Sequence, residues 1–197
     1  MMPPAKSTLA ARLWPETQDS AVQGLVTLLA VLLGSTLILT LSAKIQVPFW
    51  PVPMTMQTFV VLCLGAVLGA RLGALTILVY LAEGAIGLPV FAGTPEKGLG
   101  LAYMVGPTGG YLLGFVLGAF VVGWFAERGW DRSIPRLFAA MLVGHILIFV
   151  PGVLWLAYLI GAEMAWAHGI APFYAATLFK TALGAVLVPA AWSLVQR

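Results

Sequence analysis

An all-α membrane protein, six transmembrane helices in one compact bundle, is the fold class this sequence predicts. Two observations carry that reading. Of 197 residues, 61% are hydrophobic and only 9% charged, with a mean hydropathy of +1.00, whereas a soluble domain typically carries about 25% charged residues. The apolar residues also fall into six runs, each near the roughly 20 residues that cross about 30 Å of hydrocarbon at 1.5 Å per residue.

The runs are placed near 22–43, 55–70, 72–91, 107–126, 137–160 and 172–194. They divide the chain into a polar, Pro-containing tail, residues 1–20, and a single transmembrane domain, residues 21–197. The first run is longer than the 7–15 residues of a signal-peptide core, so it reads as a retained helix. The second is short and Gly-rich. With six spans both termini share a side, which also holds Lys6, Arg12, Arg71, Arg128, Arg132, Arg136 and Arg197. The other side holds Lys44 and Lys97. Positive charge concentrates on the cytoplasmic side of a membrane protein, so both termini are predicted to be cytoplasmic. Arg128, Asp131, Arg132 and Arg136 read as a solvated loop that sets this topology.

Glycines recur four apart as Gly65, Gly69, Gly73 and as Gly106, Gly110, Gly114, Gly118. On a helix such a stripe lets a second backbone approach closely, which is how helices associate in lipid. Packing within the chain accounts for both stripes. Ala30 and Gly34 make a similar pair on the first span, with more room for contact with another molecule.

Two external segments are not ordinary connectors. In AKIQVPFWPVPMTMQTF, Pro48, Pro51 and Pro53 lie within six positions. Proline lacks a backbone N–H and disfavours helix in the residue before it, so the segment is extended. Its apolar residues predict that it lies on protein or over a cavity, where backbone is not exposed to lipid. The second segment, GLPVFAGTPEKGLGLAYMVGPTGGY, is rich in glycines that permit tight turns. Together they read as a lid and rim for a small molecule, or as connectors that seal the bundle.

Lys180 stands inside the last apolar run, at a cost of roughly 2.5–3.5 kcal/mol for a charge at mid-membrane. Something compensates for it. No H-E-x-x-H or G-x-S-x-G motif occurs, so an intramembrane enzyme finds no support. No P-loop occurs either, so any ATP-driven step belongs to another chain. The spans lack the repeated polar rings of an ion pore and the matched broken helices of a secondary transporter. His145 reads as a packed helix residue and His168 as a solvated loop residue, with no metal cluster. The one cysteine, Cys63, forms no disulfide within the chain, and nothing suggests nucleic-acid binding.

The motifs VPFWPVPMTMQTF, LGAVLGARLGAL, YLAEGAIGLPVFAG and GPTGGYLLGF, in this order and spacing, resemble the BioY family, the biotin-binding S components of energy-coupling-factor (ECF) transporters. The resemblance covers about residues 22–194. It implies a six-helix substrate-binding subunit of the cell membrane whose biotin pocket opens outward, with biotin as transported ligand and no cofactor. It also implies an ECF transmembrane coupling subunit and two ATP-binding-cassette ATPases as partners, the first docking on the small-residue face of Ala30 and Gly34. The family's last span usually begins P-x-x-P-G-D-x-x-K. Here PFYAATLFK keeps Pro172 and Lys180, while Ala175, Ala176 and Thr177 replace the Pro, Gly and Asp, and that Asp is expected to help bind ligand.

On the expected spans Lys180 and Glu83 both lie roughly 12 Å below the external face. They form either a structural ion pair or a ligand site. In the second reading Lys180 receives the biotin carboxylate, while Glu83 pairs with it in the empty state or accepts a ligand N–H. Trp50, Tyr103, Tyr111, Trp155 and Tyr158 are candidate walls, although aromatics near interfaces are more often belt residues. Thr108 and Thr177 are candidate hydrogen-bonding groups. The competing function is a self-sufficient carrier or channel for a small carboxylated vitamin.

Overall fold

The computed structural model describes residues 8–13 and 21–195, so most of the expected tail, with Lys6, and the terminal Arg197 lie outside the described residues. A one-turn helix α1 (Leu9–Leu13) is followed by α2 (Ala21–Lys44). A two-stranded antiparallel ribbon, β1 (Gln46–Val47) and β2 (Met54–Thr55), leads into α3 (Gln57–Leu68) and α4 (Ala70–Ala85). Then come α5 (Gly100–Met104), α6 (Gly109–Ala126), α7 (Ile134–Ile160), α8 (Ala162–Gly169) and α9 (Tyr174–Val195).

Among the described residues four stretches are long and apolar enough to cross a membrane: α2, α6, α7 and Ala162–Val195, which carries α8 and α9. The other two expected spans are helical but short, 12 residues in α3 and 16 in α4. Gly69, at φ +86°, separates them. The third span is expected to extend to 91, but the helix stops at Ala85 and Gly87 turns the chain at φ +98°.

Helix α6 is the centre of the bundle, and its glycines are the reason. A β-carbon at Gly114 would stand 2.6 Å from the Cα of Ile148 on α7, and one at Gly110 would strike the Pro151 carbonyl. From α3, a β-carbon at Gly65 would strike the carbonyl of Ala119 on α6. The stripes are thus intrachain packing, with two corrections. Gly69 is a break between helices, so Gly65 and Gly73 meet across a bend, a Gly73 β-carbon falling 3.0 Å from Gly65 Cα. Gly106 belongs to the turn before α6.

Helix α2 is peripheral. Of its most apolar 18 residues 22% are buried, against 56% in α6. Ala30 and Gly34 are on its exposed side, and a β-carbon at Gly34 would meet nothing within 4 Å.

At the opposite end from the ribbon, Arg128, Arg132 and Arg136 of the 128–136 segment are exposed as expected, but Asp131 is not solvated. Asp131 is buried and accepts a 2.5 Å hydrogen bond from the Trp192 indole, and the Arg132 guanidinium lies over that ring. Arg128 covers Trp124 at 3.4 Å. An acidic group and an indole that satisfy one another are buried together at far lower cost than apart.

Candidate functional site

The ribbon pairs Gln46 with Thr55 and Val47 with Met54, which turns the three-proline stretch back on itself as a short hairpin. Its apolar residues divide between two sides. Val52 and Pro53 are buried and line a cavity at this end of the bundle. Trp50 is 67% exposed and packs edge-to-face on His168. Trp50 was expected in the cavity wall, but Val52 and Pro53 take that place; His168 is a half-buried residue of α8, not a free loop residue.

A second wall comes from the chain between α4 and α5. Phe91 and Ala92 line the cavity. Phe91 stacks on Tyr103 at 4.9 Å and meets Tyr80 edge-on at 5.4 Å. The phenols of these tyrosines donate to main-chain carbonyls of the same segment, Tyr80 to Val90 and Tyr103 to Ala92, each at 2.8 Å. Burial raises the pKa of the Tyr103 phenol, a hydrogen bond with Thr108 partly opposing it. Tyr103 therefore stays a neutral donor at physiological pH.

The floor is aromatic and aliphatic. Tyr111, Leu112 and Phe115 of α6 face Phe149 of α7 and Phe173 beside α9. The cavity holds about 570 Å³ of space free of protein atoms, counted with its open mouth.

Lys180, from the second turn of α9, projects into this cavity and is only 6% exposed. Its ammonium donates to the main-chain oxygen of Thr55 at 2.5 Å and approaches Thr58 Oγ1 at 3.5 Å. Neither acceptor carries a charge, and among the described residues no carboxylate contacts Lys180. The pairing with Glu83 is not formed. Glu83 lies in the last turn of α4, because that helix ends six residues earlier than expected, and accepts a 2.9 Å hydrogen bond from Thr36 of α2. It is outside the cavity lining.

Five of the expected residues, Lys180, Thr177, Tyr103, Thr108 and Tyr111, converge on the cavity from three separate parts of the chain. Tyr111 spends its hydroxyl hydrogen on the Gly169 carbonyl at 2.9 Å. Thr177 is held in place from behind: Thr181 donates to its carbonyl and sits 3.1 Å from the buried His145 ring of α7. His145 is the packed helix residue expected. Tyr158 is corrected: it is 81% exposed, facing away from the bundle. Trp155 donates instead to the Gly106 carbonyl.

Sequence reasoning missed Gln57, which is buried and lines the cavity. Its Oε1 accepts from the Thr55 hydroxyl at 3.2 Å, and its Nε2 donates to Tyr80 at 2.9 Å. These bonds continue through Tyr80 to Val90, joining the hairpin to the second wall. The available signal was a glutamine at the start of an otherwise apolar run.

Comparison with known proteins agrees with this architecture. The sequence model of the BioY family matches residues 14–197. The chain is 37% identical over 162 residues to a probable biotin transporter BioY of Pyrococcus horikoshii, covering 82% of this chain and 92% of the relative. It is 39% identical over 153 residues to the biotin transporter BioY of Thermotoga maritima, covering 77% and 88%. The crystal structure of an S-component for biotin from an ECF-type ABC transporter superposes with a TM-score of 0.74 at 25% identity, covering 89% of this chain and 95% of the other. With a nearly full-length family match, relatives well above 30% identity and a shared fold, this multi-pass membrane protein belongs to the BioY family.

Proposed function

We propose that this chain is the biotin-binding S component of an ECF-type uptake transporter, binding and delivering its ligand without catalysing a reaction. The observation that carries the proposal is Lys180, a buried cation in a largely apolar cavity with no acidic side chain in contact among the described residues. A ligand carboxylate supplies the missing countercharge. Burying a charge is tolerable only when it is paired and hydrogen-bonded. Biotin matches the rest of the cavity: its apolar body suits Tyr111, Phe115, Phe149 and Phe173, and its ureido ring finds polar partners among Gln57, Thr108 and Thr177.

In this reading α3 and α4 also cross the membrane, giving six spans with both termini in the cytoplasm and the hairpin at the external mouth. The distribution of lysine and arginine supports that orientation. Ala30 and Gly34, exposed on the peripheral helix α2, form the docking face for the transmembrane coupling subunit. Two ATP-binding-cassette ATPases supply the energy, consistent with the absence of a P-loop from the sequence.

The test is equilibrium binding of biotin to the purified protein, with lipoate and other carboxylated vitamins as competitors. Saturable binding that biotin competes and lipoate does not is the expected result. Failure to bind biotin in detergent and in lipid nanodiscs would reject the ligand; uptake by the purified protein alone in liposomes would favour a self-sufficient carrier.

A further inference from the structure

The segment from Pro89 to Thr94 has no helix or strand of its own, yet Val90, Phe91, Ala92 and Thr94 are buried. Buried carbonyl groups need donors, and each of the six in this segment has one. Val90 and Ala92 accept from Tyr80 and Tyr103, and Gly93 accepts from the Lys97 N–H at 2.8 Å. The remaining three all accept from one side chain. Lys44 Nζ, in the last turn of α2, donates to the carbonyls of Pro89 at 2.8 Å, Phe91 at 3.0 Å and Thr94 at 3.1 Å, and also reaches Thr94 Oγ1 at 3.1 Å.

An ammonium has three hydrogens, so four acceptors leave none unused and at least one shared. The arrangement gathers main-chain oxygens around the ammonium of a solvent-exposed lysine. It flanks both residues that this segment gives to the cavity, Ala92 and Phe91, whose carbonyl also accepts from the Thr94 hydroxyl at 2.7 Å. Hydrogen bonds to a charged donor are about twice as strong as neutral ones. Tyr103 holds the segment from the cavity side, Tyr80 from α4 and Lys44 from α2. A second polar tie, Thr36 to Glu83, joins α2 to α4, the helix from which the segment departs.

We propose that Lys44 is a positioning residue for ligand binding: by holding three carbonyls of the Pro89–Thr94 segment to the end of α2, it sets the Phe91–Ala92 wall of the cavity. The proposal rests on the reading of the cavity as a biotin site. It makes the wall dependent on α2, the least buried of the four long apolar stretches, so a shift of α2 carries the wall with it.

The experiment compares the full-length protein with Lys44→Met and Lys44→Arg by two measurements. Amide hydrogen exchange without ligand reads the wall itself. Lys44→Met is expected to raise exchange at residues 90–94 and leave the α6–α7 core unchanged, with Lys44→Arg restoring most of the protection. Equilibrium binding reads the consequence: Lys44→Met weakens biotin binding about tenfold or more, and Lys44→Arg recovers most of it. If Lys44→Met does not fold, Lys44→Gln, which keeps two N–H donors, is expected to show the same changes at smaller size. Unchanged exchange, or faster exchange with unchanged affinity, overturns the proposal. A parent protein that shows no biotin binding removes the ligand reading instead, and the exchange measurement then still decides whether Lys44 holds the wall.

Discussion

Lys180 of α9 donates a 2.5 Å hydrogen bond to the main-chain oxygen of Thr55, the last residue of the hairpin that caps the cavity. The two are 125 residues apart in the chain. The contact ties the cap to the helix carrying the buried cation, and the acceptor is a dipole, not a charge. In the proposed reading a ligand carboxylate beside Lys180 would meet the remaining hydrogens of the ammonium while the cap is already attached to the same nitrogen. Ligand capture and cap order would then share one atom.

Lys180→Met is expected to weaken biotin binding by about 2–5 kcal/mol, the usual cost of removing one member of a buried charge pair. A neutral biotin amide is expected to bind weakly to the unmodified protein already, and the same substitution should change its affinity little. Calorimetry or radioligand binding with both ligands checks this. Equal losses for acid and amide would show that the lysine acts on the fold alone.

Glu83→Gln is expected to leave biotin affinity within about threefold of the parent. Glutamine keeps an acceptor for Thr36, so stability changes by no more than about 1 kcal/mol. A large loss of binding would bring Glu83 back into the site, through a rearrangement absent from this structure.

Ala30→Leu with Gly34→Leu should fold and bind biotin normally, because Gly34 has open space around it. The double variant should fail to co-purify with the coupling subunit, since two bulky side chains keep a partner helix from close approach. Gly114→Val is the contrast: its β-carbon meets the Ile148 backbone, and overpacking of about 1–3 kcal/mol or more should lower thermal stability. Intact complex formation by the Ala30/Gly34 variant would assign that face to lipid.

For topology, single cysteines are introduced in a Cys63→Ala background at Lys97 and Arg128, which lie at opposite ends of the bundle. An impermeant thiol reagent should label position 97 in intact cells and position 128 only after lysis. The reverse pattern would place the cavity on the cytoplasmic side.

The sequence by itself determined the class of this protein. Sustained apolar runs broken by glycine and proline specify helices whatever their neighbours, because backbone polar groups in lipid have no other partner than their own helix. The loop motifs carried the family, and Lys180 was visible because a charge in such a run has nothing in the sequence to explain it. Thr177, Thr108, Tyr103 and Tyr111 were within reach as polar or aromatic residues in the segments flanking the expected site.

Tertiary structure decided which groups meet. Equal depth placed Glu83 beside Lys180 on paper, but the early stop of α4 and the direction of its last turn give Glu83 to Thr36. Trp50 and Val52 are two residues apart in one proline-rich loop, and only the hairpin's fold sends the first outward and the second onto the cavity. In the sequence Lys44 is only one of two positive charges on the external side; the structure sets it against three carbonyl oxygens about fifty residues away. Hydropathy is a local property that lipid reads one helix at a time, whereas a hydrogen bond depends on the direction of two groups that the chain brings together only when it folds.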